Sequence, residues 1–418
     1  MPKIFMPVAA AFAPNYTLKD VLIAAKYLLP WKQDKMQSGK KIPQLEERFR
    51  VYMDTEKAVS FSSGRSGFYA ILKALDIQKE DEILLQAFTT VALPNTIRLF
   101  EAEPIFIDIE RNTYNIDPKK IEEHITKKTR AIIVQHTFGN PADMKKILEL
   151  AKKYDLKIIE DCAHSLGAEY EGVKTGKFSD AAFFSFGRDK VISSVAGGMV
   201  ITQDYKLAEK IEAIRNELDF PGKKTIIKNL LHPVISFTAL HTYNLFSIGK
   251  IMMFSSFRFG LLEKAYLKNE KESRAEMNFA KRMPNALAEI ALHQLEIADR
   301  FNRHRIKVAK KYEKSIQNKS VELPETLSKC KNIFLWYTIT VANKREFIKK
   351  AQEENIILGD WFPQVIGPIE ADPSKSRYKK GSCPIAENLS AHCVNLPTHH
   401  NMGNKQVKKV LNFINSFK

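Results

Sequence analysis

Short apolar runs alternate with helical patterns between residues 58 and about 215, and this alternation restricts the fold more than any other feature. Each run has the length of one buried strand. The runs cover 58–62, 82–86, 104–109, 131–135, 157–160, 181–185 and 199–202. Helices are predicted between them, at 66–75, 95–100, 118–124 and 144–154. Strands that alternate with helices predict an α/β fold, in which a mainly parallel sheet is flanked by helices.

The last third of the chain has a different pattern. Its predicted elements are a long helix, a strand and two helices, over 281–305, 334–341, 344–354 and 404–417. They indicate a smaller α+β unit after the large domain. A chain of 418 residues also exceeds what one core usually supports. We predict an N-terminal segment and large domain at 1–222, an insertion at 223–262, and the long helix with a small C-terminal domain at 263–418.

The charge balance indicates an anionic partner. Lys and Arg number 65 against 48 Asp and Glu, which gives a net charge of +17. Nucleic acid, a phosphorylated ligand or an anionic membrane surface would each suit such a chain. No nucleic-acid-binding motif accompanies the charge, so nucleic acid is not predicted as a partner.

Cysteines and the N-terminus indicate a cytoplasmic protein. The 4 cysteines are scattered and form no CxxC pair, which predicts neither a disulfide scaffold nor a metal site. The opening residues MPKIFMPVAAAFAP contain an apolar run too short for a signal peptide. We therefore expect the protein in the cytoplasm.

The predicted insertion is apolar and flanked by basic residues. Residues 229–249 contain no Asp, Glu, Lys or Arg, whereas lysines and an arginine lie on both sides. Polar residues and Pro233 within the stretch argue against a membrane span. A buried helix, an oligomer contact and an interfacial helix on anionic lipid are the alternatives. Burial or an oligomer contact ranks slightly ahead of peripheral membrane contact through 229–257.

Small residues between the first predicted strand and its helix form a candidate phosphate site. Gly64 lets the backbone approach a ligand, and the helix that follows offers free N–H groups to an anion. Arg65 adds a positive charge and Ser66 a hydroxyl group. An ordinary helix cap explains the same residues, so this motif is weak by itself.

Two later strands end in groups that can perform chemistry. Asp161 and His164 follow the strand at 157–160, at the sheet edge where ligands bind in open parallel sheets. Ser185 ends the strand at 181–185, and Lys190 follows in a loop before a glycine turn. A lysine near apolar walls can act as an amine nucleophile. Taken alone, Asp161 could be an ordinary helix cap beside a His164 with internal hydrogen bonds. Lys190 could be a surface lysine in a loop.

The order of these features fits one cofactor. Pyridoxal phosphate requires a phosphate cradle, a carboxylate on its ring nitrogen and a lysine that bonds to its aldehyde carbon. The chain has a phosphate turn, a strand-end Asp161 and then Lys190 in that order.

Longer segments resemble the DegT/StrS-type nucleotide-sugar aminotransferases, which depend on pyridoxal phosphate and have the aspartate aminotransferase fold, known as fold type I. The resemblance runs from about residue 37 to the C-terminus, except for the insertion. It rests on DEILLQAFTTVALPNTIRLFEAEPIFIDIERNTYNID, EDCAHSLGAEYEGVKTGKFSDAAFFSFGRDK, RMPNALAEIALHQLE and CPIAENLSAHCVNLPTHHNM.

The resemblance implies a role for each catalytic residue. Lys190 would bond to the cofactor and move a proton during transfer. Asp161 would hold the ring nitrogen protonated, and His164 would lie near the 3-hydroxyl group or the ring face. The implied reaction moves an amino group, usually from L-glutamate, onto a keto group of a nucleotide-linked sugar for cell-surface polysaccharide or glycoconjugate synthesis. The implied assembly is a homodimer.

The resemblance also assigns the cofactor's other contacts. The turn at Gly64, Arg65 and Ser66 would bind the phosphate together with Ser185. The aromatic residue that stacks on the ring in the family falls at Thr90, and Phe88 is the predicted substitute.

Other departures lie on the substrate or dimer side. The family's Asn-x-Arg motif reads Ala280-Lys281-Arg282, and its Arg-(Asn/His)-Gly turn reads Arg215-Asn216-Glu217.

Two other readings remain beside the aminotransferase. A sugar dehydratase of the same family would carry His in place of Lys190, so this reading is disfavoured. A non-catalytic, membrane-associated relative that binds a ligand would be expected to lose Lys190 or Asp161, and the chain keeps both.

Overall fold

The computed structural model describes residues 6–10, 15–262, 272 and 277–417. Its α-helices are α1 (Leu18–Leu28), α2 (Lys41–Met53), α3 (Gly64–Ala74), α4 (Ala92–Arg98), α5 (Met144–Tyr154), α6 (Tyr205–Glu217), α7 (Lys223–His241), α8 (Ile248–Arg258), α9 (Asn285–Ser315), α10 (Lys344–Glu353), α11 (Pro384–His392) and α12 (Asn404–Ser416). Short 3-10 helices cover Pro30–Lys35, Pro118–Lys120, Glu122–His124, Thr137–Gly139, Met277–Phe279 and Pro373–Ser376.

The strands follow the same chain order. They are β1 (Val8–Ala9), β2 (Lys57–Phe61), β3 (Glu82–Gln86), β4 (Thr89–Thr90), β5 (Glu103–Ile107), β6 (Thr129–Gln135), β7 (Lys157–Asp161), β8 (Glu169–Tyr170), β9 (Val173–Lys174), β10 (Ala181–Ser185), β11 (Gly198–Thr202), β12 (Val321–Glu322), β13 (Cys330–Lys331), β14 (Tyr337–Val341), β15 (Ile356–Ile357), β16 (Ile366–Gly367) and β17 (Cys393–Leu396).

A seven-stranded sheet forms the centre of the large domain, in the order β2-β11-β10-β7-β6-β3-β5. Only β11 runs antiparallel to its neighbours in this sheet. The central strands are almost wholly buried because helices cover both faces, as the apolar runs predicted. The predicted α/β class is confirmed.

The register of the central strands positions the site. Strand β7 pairs in parallel with β6 and with β10, so the carboxyl ends of all three lie at one edge. Asp161 is opposite Gln135 on one side and Phe183 on the other. Residues that follow these strands therefore meet in space although they are far apart in sequence.

Two predicted helices differ from the structure. The long helix α9 begins at Asn285, after Pro284, and continues to Ser315 instead of covering 281–305. Apolar residues at helical spacing continue through Val308 and Tyr312, and their burial extends the helix. The segment predicted as one helix at 118–124 forms two 3-10 turns, and Asp117 caps the first of them.

A second core lies in the C-terminal part of the chain. The antiparallel strands β12, β14 and β17 pack with α10, α12 and the last turns of α9. The N-terminal strand β1 joins this part, because Val8 pairs with Ile356 of β15. The division at residues 222 and 262 stays a prediction, and residues 263–271 and 273–276 lie outside the described part.

The predicted insertion forms two helices. Helix α7 packs against α1, and its buried residues include Ile226, Leu230 and Ala239. Helix α8 packs on α7 with a narrow side that includes Gly249 and Met253. Within the described residues, each helix is too short or too polar to cross a membrane, which agrees with the low rank given to a span.

Candidate active site

Lys190 and His164 meet at the carboxyl edge of the sheet. The Nζ atom of Lys190 lies 2.9 Å from Nε2 of His164. His164 comes from the loop after β7, and Lys190 from the loop after β10. The structure therefore brings together two of the predicted site residues through the parallel pairing of these strands.

Asp161 ends β7 and is buried beside this pair. Its side chain is 5% exposed, and its Oδ1 atom accepts the N–H of Ala163 at 2.9 Å. Burial raises the pKa of Asp161, whereas that hydrogen bond and the charges of Lys190 and His136 act in the opposite direction. A cation held next to this carboxylate would stabilise its ionised form.

Burial also changes the proton affinity of the other two groups. It lowers the pKa of Lys190, and the negative charges of Asp161 and Asp189 only partly oppose this effect. Burial and the nearby Lys190 charge hold the pKa of His164 well below its usual range. Nδ1 of His164 accepts the N–H of Phe138 at 3.4 Å, so its proton lies on Nε2 and faces the lysine amine. The pair is suited to a neutral, nucleophilic Lys190.

The predicted phosphate turn touches the end of β10. Ser63 caps helix α3, and its Oγ atom accepts the N–H of Ser66 at 3.0 Å. A Cβ atom at Gly64 would lie 3.1 Å from both the Phe184 carbonyl oxygen and Cβ of Ser185. A side chain at this position would crowd β10, and this contact places Gly64 beside Ser185.

Two residues of the turn have contacts with the segment at 277–280. The Ser66 side chain is fully buried, and its hydroxyl donates to the carbonyl oxygen of Phe279 at 2.9 Å. The Arg65 guanidinium lies over the Phe279 ring at 4.8 Å. The roles of Arg65 and Ser66 at a phosphate stay predictions.

Aromatic rings line the His164 side of the site. The Phe138 ring is stacked on His164 with centroids 5.9 Å apart, and Phe362 is stacked at 6.3 Å. Trp336 meets the same imidazole edge-on at 5.5 Å. The predicted stacking residue, Phe88, is instead fully buried among Tyr114, Phe138 and Phe362, and its contact with a cofactor stays a prediction.

Sequence reasoning missed these three aromatic residues. Phe138 follows β6 at the same carboxyl edge as Asp161, so the strand-end rule could have found it. Trp336 and Phe362 come from the C-terminal part of the chain, and only the folded structure brings them to His164.

Sequence reasoning also missed a buried hydrogen-bond network that holds the backbone of the Lys190 loop. We call Asn15, Asn302 and Arg305 the Arg305 network. The Asn15 amide donates to the Lys190 carbonyl oxygen at 2.7 Å. Arg305 donates to the carbonyl oxygen of Val191 at 2.9 Å and to Oδ1 of Asn15 at 3.1 Å.

The network also reaches the loop that carries His164. Arg305 donates to Oδ1 of Asn302 at 2.8 Å, and the Asn302 amide donates to the Leu166 carbonyl oxygen at 2.8 Å. Burial lowers the pKa of Arg305 to about 9. The three oxygens to which Arg305 donates are neutral. Helix α9 thus connects both active-site loops through one buried guanidinium.

Behind Asp161 lies a buried histidine–glutamate pair. Nε2 of His136 is 2.9 Å from Oε1 of Glu160, and Nδ1 of His136 accepts the Ala142 N–H at 3.1 Å. Glu160 also accepts the N–H groups of Gly176 and Phe178. His136 and Glu160 lie close enough to Cys162 to resemble metal ligands, but both are already used in these internal hydrogen bonds. The cluster therefore supports the end of β7.

Comparison with known proteins identifies the family. The chain belongs to the DegT/DnrJ/EryC1/StrS aminotransferase family, whose model matches residues 25–230 and 250–415. Over 386 residues it is 30% identical to the GDP-perosamine synthase of Escherichia coli O157:H7, and the match covers 91% of this chain and 90% of the synthase. Over 380 residues it is 28% identical to the dTDP-3-amino-3,6-dideoxy-alpha-D-galactopyranose transaminase of Aneurinibacillus thermoaerophilus, which covers 91% of this chain and 90% of the transaminase.

A solved structure shows the same fold. NtdA from Bacillus subtilis, with its bound cofactor PMP, superposes with a TM-score of 0.74 and 21% sequence identity, covering 99% of this chain and 86% of that one. The predicted family and fold are thus confirmed, and the protein is an aminotransferase.

The family model leaves one internal segment unmatched. Residues 231–249 fall between its two matched parts. They comprise the second half of α7 and the connection to α8, inside the predicted insertion. This part of the chain departs from the family pattern.

Proposed function

We propose that the protein transfers an amino group from L-glutamate to a keto group of a nucleotide-linked sugar, for cell-surface polysaccharide or glycoconjugate synthesis. The proximity of Lys190 Nζ and His164 Nε2, at 2.9 Å, beside the buried Asp161 carries the proposal. Family membership and the GDP-sugar and dTDP-sugar relatives support it.

The residues present fit pyridoxal phosphate as the cofactor. Gly64 packs closely against Ser185 at the start of α3, where backbone N–H groups can bind an anion. Asp161 offers a buried carboxylate to a cationic ring nitrogen, and Lys190 offers an amine whose pKa is lowered by burial. NtdA binds PMP, the aminated form of the same cofactor, in the same fold. When bound, pyridoxal phosphate supplies an electron-accepting ring that carries the amino group between two substrates.

Lys190 is the proposed proton carrier. Its neutral Nζ atom removes the proton from the Cα atom of the amino donor and later delivers a proton to the former keto carbon of the sugar. His164 Nε2 lies 2.9 Å from Nζ and positions the end of the lysine side chain. Stacking on Phe138 and Phe362 fixes the imidazole plane.

Asp161 is the proposed electrostatic partner of the ring nitrogen. Its carboxylate stays ionised when it faces a cation, because the attraction offsets the cost of burial. Gly64, Arg65, Ser66 and Ser185 would bind the phosphate through the N–H groups at the start of α3, a guanidinium and two hydroxyls. Phe88 is proposed as the ring contact only if the side chain moves from its buried position.

We propose a homodimer in the cytoplasm as the working form. The family resemblance supports the dimer, and light scattering of the purified protein tests it. A monomeric mass would contradict this assembly. Contact of the insertion with a membrane surface is a separate proposal that depends on α8.

One experiment tests the activity. Protein reconstituted with pyridoxal phosphate should show a visible absorption band and should release 2-oxoglutarate from L-glutamate when a keto-sugar nucleotide from a GDP, dTDP or UDP panel is added. Lys190→Ala should abolish both signals. Lys206→Ala, at an exposed lysine of α6, is the matched control. Cofactor that stays covalently attached to Lys190→Ala after borohydride reduction would contradict the assignment of the lysine.

The same experiment separates the alternative enzyme. A dehydratase would consume the sugar without release of 2-oxoglutarate. The retained Lys190 favours amino transfer over this second function.

A further inference from the structure

The outward side of α8 is apolar. Seven hydrophobic residues on this helix and its two flanks are exposed, and we call them the α8 apolar face. They are Phe246, Ile248, Ile251, Phe254, Phe257, Phe259 and Leu261. The Phe254 side chain is 73% exposed and Phe246 is 87% exposed. A surface helix normally turns such residues towards the core, so this face requires a partner or an apolar environment.

Packing against α7 fixes which side of α8 points outward. Met253 and Ser256 are buried on the opposite side of the helix. A Cβ atom at Gly249 would lie 2.0 Å from the Ala239 carbonyl oxygen, so the two helix backbones approach closely here. Rotation of α8 to bury Phe254 would therefore break its contact with α7.

The charged residues between 220 and 262 are all basic. Residues 220–262 contain Lys223, Lys224, Lys228, Lys250 and Arg258 but no Asp or Glu. Lys250 and Arg258 are exposed on α8 itself, next to the apolar face. An apolar face on a basic segment is complementary to a surface that combines hydrocarbon with negative charge.

We propose that α8 binds the surface of a membrane that contains anionic lipids. The helix lies parallel to the bilayer, with Ile251 and Phe254 inserted among the acyl chains and with Lys250 and Arg258 at the headgroup phosphates. Its 11 residues span about 16 Å, which suits a helix in the interface and is too short to cross the bilayer. The segment that the family model leaves unmatched, 231–249, precedes this helix and includes only its first two residues.

The charges disfavour a second copy of this face as the occupant. A twofold axis through α8 would bring Lys250 and Arg258 of two chains together with no carboxylate in 220–262 to pair with them. An anionic bilayer offers the missing charge to both residues. Lipid binding is also independent of the proposed amino transfer, because it is measured without either substrate.

Vesicle sedimentation with the full chain, loaded with pyridoxal phosphate, tests the proposal. The wild-type protein should sediment with phosphatidylcholine vesicles that contain phosphatidylglycerol and much less with phosphatidylcholine alone. Lys250→Gln and Arg258→Gln should each weaken binding to the anionic vesicles about fivefold, with no change on neutral vesicles. High salt should weaken wild-type binding in the same way.

An apolar variant tests insertion. The double variant Ile251→Asp, Phe254→Asp should lower binding to anionic vesicles at least about tenfold, because it removes two apolar side chains that the bilayer would bury. Val51→Asp, at a similarly exposed apolar position on α2, should bind as the wild type does. The visible band of the bound cofactor reports that each variant has folded.

Three results would overturn the proposal. Wild-type protein could stay in the supernatant with both vesicle types. The Ile251→Asp, Phe254→Asp variant could sediment as the wild type does. The same variant could instead change its mass in light scattering without a change in sedimentation, in which case a second copy of the chain covers α8.

Discussion

The carboxyl edge of the sheet buries polar groups, whereas helix α8 of the insertion exposes apolar ones. At the sheet edge, Asp161, Glu160 and Arg305 are polar and buried; the two carboxylates accept backbone N–H groups, and Arg305 donates to a backbone carbonyl oxygen. On α8, Phe254 and Phe259 are apolar and exposed. Burial of polar groups costs desolvation free energy at the sheet edge, and exposure of apolar side chains to water is unfavourable on α8. At the sheet edge the buried polar groups are consistent with a catalytic site. On α8 the exposed apolar groups are consistent with a binding face.

Loss of the Asp161 charge should have the largest effect on this contrast. Asp161→Asn keeps the shape but removes the carboxylate proposed to face the ring nitrogen, so kcat should fall by about 10³-fold, as for loss of a preorganised electrostatic group. Steady-state rates with L-glutamate measure this. Asp155→Asn, at the exposed C-cap of α5, removes the same charge outside the site and should leave kcat unchanged. Equal losses in both variants would show that overall charge matters and the position does not.

The Arg305 network should have the next largest effect. Arg305→Met leaves the Val191 carbonyl and Asn15 without their donor, so the free energy of unfolding should fall by about 2–4 kcal/mol. Denaturant titration measures the loss, and Arg303→Met, exposed on the same helix, is the control.

A purely structural role predicts no more than that loss. If the network also positions Lys190, kcat should fall more than KM changes, and the pH at which the cofactor band changes should move. Arg305→Lys should restore part of kcat and should return the pH at which the cofactor band changes part of the way to the wild-type value. Unchanged spectra and kcat in folded Arg305→Met would limit the network to stability.

The Gly64 contact should have an intermediate effect. Gly64→Ala places a methyl group 3.1 Å from the Phe184 carbonyl oxygen and Ser185 Cβ, so unfolding should need about 1–3 kcal/mol less and pyridoxal phosphate should bind more weakly. Thermal unfolding and cofactor titration measure the two effects. Gly222→Ala is the matched control, because a Cβ atom there meets nothing within 4 Å. Full cofactor affinity in Gly64→Ala would contradict the cradle.

The pH profile should report the lowered pKa of Lys190. Proton transfer needs the neutral amine once the substrate is bound, so kcat should rise about tenfold per pH unit below this pKa and become level above it. The plateau should begin below the ordinary lysine range, because burial disfavours the charged form. A rise that continues to the ordinary lysine pKa would contradict this assignment.

The α8 apolar face should have the smallest effect on the folded enzyme. Phe254→Ser changes an exposed side chain far from buried contacts, so the free energy of unfolding should change by less than about 0.5 kcal/mol and kcat should be unchanged. Met253→Ser, one position along and buried against α7, should destabilise the protein clearly. A large loss in Phe254→Ser would show that α8 packs differently and would remove the contrast between the two regions.

The sequence was most informative where local pattern determines position. Strand β7 and strand β10 could be predicted from short apolar runs, and the parallel sheet then places Asp161 and the Lys190 loop at one edge. Helix α9 was predicted too short, because the apolar spacing beyond Arg305 was not followed to Tyr312.

Long-range contacts were harder to predict. Arg305 and Trp336 reach the site from well over a hundred residues away, and no local pattern says which loop they meet. The insertion was predicted with burial or an oligomer contact ranked ahead of membrane contact, and burial describes α7. For α8 the pattern could not separate an inward from an outward face, because both sides of the helix are apolar.

The pairing of β1 with β15 has a consequence for how the enzyme is made. The first described strand can pair only after residue 356 has been made. Another contact of this N-terminal segment also comes from late in the chain, because Trp336 donates its indole N–H to the Ala10 carbonyl oxygen at 3.2 Å. On the ribosome, Asp161 and Lys190 emerge long before Arg305, Trp336 and Phe362 can enclose them. A nascent chain therefore carries its reactive lysine without the walls that lower its proton affinity. The aromatic enclosure of His164 beside this lysine is therefore completed only after residue 362 has been made.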